Sequence, residues 1–428
     1  MGTIEPLAVP SGNGNPSAYG FEPCGGGVCA AAGIRAAGMH AGFRHDPAKG
    51  DLALVVAEEG SVCAATFTQN RFCAAPVQVS RRHAAGGAAR AIVLNSGIAN
   101  AATGEPGLRC AEAECELVSR AVGCGPQEVL VASTGVIGAE LPLAPFERSV
   151  PELAQRLRSS VQAAEDAARA VMTTDTHPKQ VSLRGTLPQE DGGSLTVHVG
   201  GFAKGSGMIQ PNMATMLCVI ATDAPLTREA AHAMLLDAVR QSFNKVTVDS
   251  DTSTNDSCFL LATGRAGGSA IGLDSPSYPA VAAAVLGACT NLARQIAADG
   301  EGATKLVTVD VLGAATERQA DAVARAIANS PLVKTAIYGH DANWGRVAAA
   351  AGKCGVDFRQ EDVDIDLLGV PVLRAGLPVA VDEDDMLRRF ESPNVDIAIS
   401  LGMGREHARV WTCDLTREYV HINGDYRS

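Results

Sequence analysis

Short apolar runs separated by turn residues dominate the first half of the chain. From Asp51 onwards the sequence reads LALVVAEE, VCAATFTQN, PVQVS and AIVLNSG, and VLVAST follows at Val129. Runs of four to eight apolar and β-branched residues between Gly, Asn and Ser predict strands. Gly107–Val122 and Leu141–Val171 carry apolar or small residues at helical spacing, which predicts helices, with an interruption near Pro151.

The second half repeats this alternation. Strands are predicted for SLRGTL and LTVHVGGFA, at 246–248, 258–262 and 306–312, and as short runs from Val363 to the end. Helices are predicted for 227–242, with Thr227 as its N-cap, for 278–298 and for 317–328. Blocks of strands that alternate with helices predict a layered α/β protein.

Composition narrows the class of protein. The 428 residues are 46% hydrophobic and 19% charged, which is typical of a folded globular chain. A formal net charge of −12 and the lack of a basic run argue against nucleic acid as a partner. The N-terminus resembles no signal peptide and no stretch reaches ~18 purely apolar residues, so we expect a cytoplasmic protein with no membrane contact. The 12 cysteines form no C-x-x-C pair, so we expect no metal site.

One segment, KGSGMIQPNMATMLCVIATDA at 204–224, has a different character. A Gly- and Pro-containing turn leads into a long apolar run, and the pair Ala214-Thr215 lies between them. A threonine hydroxyl is a poor nucleophile near neutral pH, but the free α-amine of the same residue, which titrates near ~8, can act as its base. Thr215 gains that amine only if the bond after Ala214 is cut. Spacing alone is more typical of an ordinary turn before a core strand.

The segment KGSGMIQPNMATML resembles the processing site of the ornithine acetyltransferase family, also called glutamate N-acetyltransferase, of arginine biosynthesis. Further matching motifs follow in the family's order, namely FTQNR at 67–71, NSGIAN at 95–100, STGVIG at 133–138, MTTDT at 172–176, FNKVTVDSDTSTND at 243–256, DANWGR at 341–346 and the C-terminal residues 423–428. Together they extend from near residue 35 to the last residue. Ile98 and Ala102 depart from the family's common Asn and Cys, and both lie outside the implied acetyl site.

The resemblance implies a sandwich of helices around β-sheets, built from two self-cleaved fragments. Residues 1–30, rich in Gly, Pro, Ser and Asn, are expected to be a flexible N-terminal arm. A cut between Ala214 and Thr215 separates an alpha chain, residues 31–214, from a beta chain, residues 215–428. Strands from both fragments can share one sheet. The resemblance implies a heterotetramer of two alpha and two beta chains.

The resemblance also implies the residues of the site. Thr215 is the nucleophile, and Thr134 and Gly135 form the oxyanion hole. The substrate-binding residues are Thr173, Lys204, Thr215, Glu301, Asn423 and Ser428, with Thr174 or Thr176 as alternatives to Thr173.

Two of these assignments have a chemical reason in the residues themselves. The Lys204 ammonium can bind a carboxylate, and Glu301 can hold the cationic end of ornithine. Taken alone, a lysine such as Lys204 is usually solvated, and Glu301 is typical of a solvated loop carboxylate. From sequence alone an ordinary turn at the end of a strand is favoured for Ser133–Gly135.

The implied reaction moves an acetyl group from N2-acetylornithine to glutamate through an acetyl-threonine ester. It needs no metal and no bound cofactor, and acetyl-CoA serves as an additional donor in some members of the family. Two alternatives stay open. One is a self-processing aminopeptidase or amidase of similar fold, in which water takes the acyl group, and the other is an uncleaved protein that binds amino acids in the same pocket.

Overall fold

The computed structural model describes residues 4–9, 15–188, 193–210 and 216–425. The predicted cut between Ala214 and Thr215 and the predicted binding residue Ser428 lie outside the described residues. Contacts divide the chain into two compact units. The larger unit comprises residues 13–244 and 252–292, and the smaller unit comprises residues 1–12, 245–251 and 293–428.

Helices and strands alternate along the described residues. The helices are α1 Ala75–Ala84, α2 Gly104–Val122, α3 Ala144–Arg156, α4 Val161–Ala170, α5 Arg228–Gln241, α6 Tyr278–Ala298, α7 Glu317–Ala328, α8 Pro331–Tyr338, α9 Trp344–Gly352, α10 Glu383–Arg389 and α11 Arg417–Gly424. The strands are β1 Glu22–Pro23, β2 Ile34–Met39, β3 Leu52–Ala57, β4 Val62–Phe67, β5 Ala91–Ile98, β6 Val129–Val136, β7 Lys179–Pro188, β8 Ser194–Lys204, β9 Leu217–Thr222, β10 Ser257–Ala262, β11 Leu306–Ala314, β12 Asp364–Leu367, β13 Val370–Arg374, β14 Leu377–Pro378, β15 Asn394–Ser400 and β16 Glu406–Cys413.

Two sheets form the larger unit. One has the order β1-β7-β8-β9-β10-β4 and the other the order β2-β3-β5-β6. Apolar side chains from both sheets, such as Leu94 and Phe259, belong to one buried cluster. Residues of α2 and α3 cover the other face of the four-stranded sheet, and α5 contacts β4 and β10. The predicted sandwich of helices around sheets is confirmed, and such layers bury the apolar face of each element.

Strands from both sides of the predicted cut share the first of these sheets. The strands β9 and β10 follow position 215, and they lie between β8 and β4, which precede it. Lys204 at the end of β8 is the antiparallel partner of Leu217 at the start of β9. The ladder therefore joins the two predicted fragments directly.

A third sheet, with the order β14-β13-β12-β15-β11-β16, forms the smaller unit. Its buried face packs against α7, α8, α9 and α10 through residues such as Val309, Ile327 and Phe390. The strand β11 is parallel to β15 and antiparallel to β16. This sheet positions the loop that follows α6.

One described helix, α6, is long and apolar enough to cross a membrane by length and composition alone. Its most apolar window is 61% buried inside the protein. Core helices of globular proteins commonly have this combination of apolar composition and burial.

Two strand predictions were wrong. The run PVQVS belongs to α1, because Pro76 suits the first turn of a helix and five residues are too few to separate the two periodicities. At 246–248 only Val246 forms a bridge, with Trp411, since the chain bends away at 249–250.

Helix boundaries differ in two further places. Pro151 lies inside α3 and does not interrupt it. Glu147, whose carbonyl loses its helical partner because proline has no N–H, is exposed. The C-terminal region predicted as short strands also contains α10 and α11, which begin after the N-caps Asp382 and Thr416.

The expected flexible arm has a defined structure over its described residues 15–30. Phe21 and Val28 are buried, and β1 pairs with β7. A Cβ atom on Gly185 would lie 2.6 Å from the Phe21 ring, so this glycine makes room for the aromatic side chain. The composition predicted a loose segment, whereas these buried side chains and the strand pairing attach residues 15–30 to the larger unit.

Candidate active site

The candidate site in the larger unit begins where β6 ends. The strands β5 and β6 are parallel, with Ser96 opposite Thr134 and Gly97 opposite Gly135. Gly135 has φ +132° and Gly97 has φ +110°, a conformation that side chains rarely adopt. The backbone of Thr134 and Gly135 is therefore fixed at the carboxyl end of a core strand.

The ammonium of Lys204 connects this strand end to the loop before β7. Its Nζ donates to Thr173 Oγ1 at 2.7 Å and to Thr134 Oγ1 at 3.3 Å. An ammonium has only donors, so both hydroxyl oxygens accept from it. Thr134, Thr173 and Lys204, predicted from three separate motifs, are brought together here.

Asp175 lies behind these three residues and is almost completely buried. Its Oδ1 accepts from Lys179 Nζ at 2.6 Å and from the Gly205 N–H at 2.8 Å. Its Oδ2 accepts from the Thr173 N–H at 3.0 Å and lies 4.0 Å from Lys204 Nζ. One carboxylate thus accepts from the backbone N–H of Thr173 and from that of Gly205, the residue after Lys204.

These contacts keep Asp175 ionised. Burial alone would raise the pKa of this carboxyl, but the charges of Lys204 and Lys179 and the hydrogen bonds to it outweigh burial and lower its pKa well below the ordinary value. A buried carboxylate is stable only with such partners.

Asn255 supports the other side of the strand end. Its Nδ2 donates to the carbonyl oxygens of Ser133, at 2.8 Å, and Ala99, at 2.6 Å. Its Oδ1 accepts from Thr254 Oγ1 at 2.6 Å. Asn255 belongs to the motif DSDTSTND, to which the sequence assigned no role, and it fixes the residue just before Thr134.

A second group of predicted residues meets within the smaller unit. The Nδ2 of Asn423, on α11, donates to Glu301 Oε2 at 2.7 Å. Glu301 is only 7% exposed, so its carboxylate is not the solvated loop side chain that the sequence alone suggested. Nearby, Tyr419 Oη donates to Asp249 Oδ2 at 3.4 Å. Burial, and then the negative charges of Asp249 and Glu301, raise the pKa of Tyr419.

The loop that carries Glu301 is fixed from two sides. Asp414 accepts from the backbone N–H groups of Thr304 and Lys305 at 2.8 and 3.0 Å. Thr416 Oγ1 donates to the carbonyl oxygen of Gly302 at 2.7 Å. Gly302 has φ +70°, and a Cβ atom there would lie 2.8 Å from the backbone nitrogen of Tyr419, so only glycine allows α11 to approach.

The predicted site residues that the structure describes belong to two different units. Thr134, Gly135, Thr173 and Lys204 belong to the larger unit, and Glu301 and Asn423 to the smaller unit. Of the alternatives to Thr173, Thr176 is exposed and its hydroxyl contacts His177 Nδ1 at 3.0 Å. Ala214, Thr215 and Ser428 lie outside the described residues, so their roles stay predictions.

Sequence reasoning missed the supporting residues Asp175, Lys179 and Asn255. Asp175 lies inside the quoted motif MTTDT. The available signal was that Asp175 and Lys179, residues of opposite charge, stand at the two ends of a short turn. In the part of the chain that the structure describes, no group of three or more His, Cys, Asp or Glu side chains is placed to hold a metal ion.

Comparison with known proteins identifies close relatives along almost the whole chain. A family model described as ArgJ family matches residues 35–428. The arginine biosynthesis bifunctional protein ArgJ of Nitratidesulfovibrio vulgaris is 46% identical over 402 residues, which are 92% of this chain and 98% of that protein. The protein of the same name from Symbiobacterium thermophilum is 46% identical over 409 residues, which are 95% of this chain and 100% of that protein.

A solved structure is also similar. It is the crystal structure of ornithine acetyltransferase complexed with ornithine from Mycobacterium tuberculosis, which is 38% identical. The match has a TM-score of 0.40 and covers 45% of this chain and 100% of that chain.

Proposed function

The chain belongs to the ArgJ family of arginine-biosynthesis proteins, and on this premise we propose that it transfers the acetyl group of N2-acetylornithine to glutamate. Family membership confirms two predictions. The protein is an acyltransferase of amino-acid biosynthesis, and it acts on small molecules. The direction of the reaction, the covalent intermediate and the roles of single residues are the content of the proposal.

Before catalysis, water hydrolyses the peptide bond between Ala214 and Thr215, which leaves a carboxylate on Ala214 and a free α-amine on Thr215. That amine takes the proton of the Thr215 hydroxyl as Oγ1 attacks the acetyl carbonyl carbon. The Thr134 O–H and the Gly135 N–H donate hydrogen bonds to the resulting oxyanion. The tetrahedral intermediate collapses, the bond to nitrogen breaks, and ornithine leaves with the proton returned by the α-ammonium.

The second half of the reaction reverses these steps with a new amine. The amine of glutamate attacks the acetyl-threonine ester, and the same oxyanion donors stabilise the charge. Thr215 Oγ1 leaves and regains its proton through the α-amine. The products are ornithine and N-acetylglutamate, and every group in the cycle comes from the chain or its substrates.

The contact of Lys204 with Thr134 and Thr173 carries this proposal. It brings together the proposed oxyanion-hole residue Thr134 on β6 and two proposed substrate-binding residues, Thr173 in the loop before β7 and Lys204 at the end of β8. Lys204 pairs with Leu217, which follows the predicted nucleophile by two residues in the sequence. The segment that contains the predicted cut therefore starts and ends at this site.

The remaining assignments follow from the same premise. Glu301, Asn423 and Ser428 together hold the cationic end of ornithine. The hydrogen bond between Asn423 and Glu301 supports this assignment. The relatives are named as bifunctional proteins, so we include acetyl-CoA as a second acetyl donor to glutamate. A cytoplasmic heterotetramer of two alpha and two beta chains completes the proposal.

The test begins with the intact mass of the wild-type protein and of Thr215→Ala. The proposal requires two wild-type fragments that meet between residues 214 and 215, and a Thr215→Ala chain that stays whole. An uncleaved wild-type chain would leave the hydroxyl without its base and would favour a binding protein.

Product analysis then separates transfer from hydrolysis. Acetylornithine is supplied with and without glutamate, and the proposal requires N-acetylglutamate with glutamate and slow turnover without it. Release of acetate at the same rate in both reactions would instead identify an amidase.

A further inference from the structure

We propose that Asp175 is a positioning residue for the oxyanion hole, which acts by holding the Lys204 ammonium against the hydroxyl of Thr134. The proposal rests on the proposed function, because it assumes that Thr134 stabilises the tetrahedral intermediate. It assigns a role to a residue outside the predicted set, and it gives Lys204 a second role besides contact with the substrate.

The direction of the hydrogen bonds links Lys204 to the oxyanion. A hydroxyl has one proton to donate and two lone pairs that accept. Thr134 Oγ1 accepts from the Lys204 ammonium at 3.3 Å. Its own proton is therefore turned away from Lys204 and can donate to a developing negative charge. A donor that already accepts from a cation is also more polarised, so its bond to the oxyanion is stronger.

Asp175 determines where the Lys204 ammonium lies. Its carboxylate accepts from the backbone N–H of Gly205, the residue after Lys204, at 2.8 Å, and from the N–H of Thr173 at 3.0 Å. Thr173 in turn presents Oγ1 to Lys204 at 2.7 Å. The same carboxylate thus fixes the backbone beside Lys204 and beside one of its hydroxyl partners.

The charges around Asp175 include an ammonium that contacts the proposed oxyanion donor. Lys179 is completely buried and lies 2.6 Å from Asp175, so this pair is neutral by itself. Lys204 adds a second ammonium 4.0 Å from the same carboxylate, with its side chain 10% exposed. These three side chains together carry a net charge of +1, and the Lys204 ammonium is the one that contacts Thr134. Positive charge fixed beside a developing oxyanion stabilises the transition state.

The experiment is a double-mutant cycle between Asp175→Asn and Thr134→Ala. Acetyl transfer is measured at saturating substrate, and each rate is divided by the fraction of chain that intact mass shows to be cleaved. Asp175→Asn is expected to lower kcat by about 10- to 100-fold. This is a smaller loss of kcat than the removal of one whole oxyanion donor causes. In the Thr134→Ala background the same change is expected to alter kcat by no more than about threefold, because the hydroxyl that Asp175 acts through is gone.

Asp166→Asn serves as the matched control. Asp166 lies on α4 nine residues earlier and contacts only Gln162 among the hydrogen bonds described for its side chain. Its substitution removes the same charge and is expected to leave kcat unchanged in both backgrounds.

A second variant keeps the test decisive if Asp175→Asn fails to fold or to be cleaved. Asp175→Asn combined with Lys179→Met restores the net charge of +1 and removes the ammonium that Asp175 neutralises. An equal loss of kcat with and without Thr134 would show that Asp175 acts only on the fold, and the proposal would be wrong. Unchanged kcat in the presence of Thr134 would overturn it as well. A wild-type protein that transfers no acetyl group would instead reject the proposed function itself.

Discussion

Gly97 and Gly135 are partners in the parallel strands β5 and β6, and a Cβ atom on Gly135 would lie 2.2 Å from the carbonyl carbon of Gly97. No real Cβ atom approaches backbone so closely, so a side chain at Gly135 forces the two strand ends apart. The contact fixes the N–H of Gly135, one of the two proposed oxyanion donors. The same close approach that shapes the sheet therefore shapes the candidate active site.

Gly135→Ala is expected to lower acetyl transfer by at least about 100-fold, the usual cost of losing an oxyanion donor. Gly138→Ala is the control, because Gly138 also has positive φ, +82°, but has no atom within 4 Å of an added Cβ. Its cost is limited to backbone strain of roughly 1 kcal/mol. The rate per cleaved chain is measured for both, and equal rates would show that the Gly97 contact has no role in catalysis.

Thr173→Ala is expected to raise the KM for acetylornithine by about 3- to 10-fold, the value of one neutral hydrogen bond. Thr173 Oγ1 accepts from Lys204, so its proton is available to the substrate. Thr173→Ser keeps the hydroxyl and is expected to restore the wild-type KM. Thr176→Ala, at the exposed alternative position, is expected to change nothing. Saturation curves for the three variants decide between Thr173 and Thr176 as the threonine that binds substrate.

Much of the fold could be predicted, because buried strands leave a strong signal. The runs at 52–57 and 91–94 are wholly apolar, and both lie in buried strands of the larger unit. The strand predicted at 76–80 was wrong, because a short apolar segment fits either a strand or a helix. The anchoring of Phe21 could not be predicted, since it depends on the space left by Gly185, which is distant in sequence.

The candidate site was predictable only through the resemblance. Thr134, Thr173 and Lys204 belong to different segments, and the pairing of strands that brings them together cannot be read from their spacing. Asp175 escaped prediction for a related reason. A carboxylate in a polar turn is typical of a solvated residue, and its burial follows only once Lys179 and Gly205 are known to converge on it.

Glu301→Gln is expected to raise the KM for acetylornithine by roughly 10- to 100-fold, because a charged hydrogen bond contributes about 1.5–3 kcal/mol. The substitution keeps the shape of the side chain and an acceptor for Asn423 while it removes the negative charge that we propose to hold the cationic end of ornithine. Glu418→Gln, on the exposed side of α11, is the control and is expected to have the wild-type KM. An unchanged KM in Glu301→Gln would remove Glu301 from the substrate-binding residues.

The buried carboxyl of Glu114, on α2, makes stability depend on pH. Burial raises the pKa of Glu114 from 4.5 to about 8, partly offset by the Cys110 thiol. The folded chain therefore keeps a proton that the unfolded chain releases, and the free energy of unfolding falls as pH rises from 4.5 to about 8. Glu114→Gln mimics the neutral acid, so we expect a gain on the order of a few kcal/mol above this window and no gain below it. Thermal unfolding across the window measures this, with the exposed Glu116→Gln as control. Parallel curves for wild type and Glu114→Gln would show that Glu114 is already ionised in the folded chain.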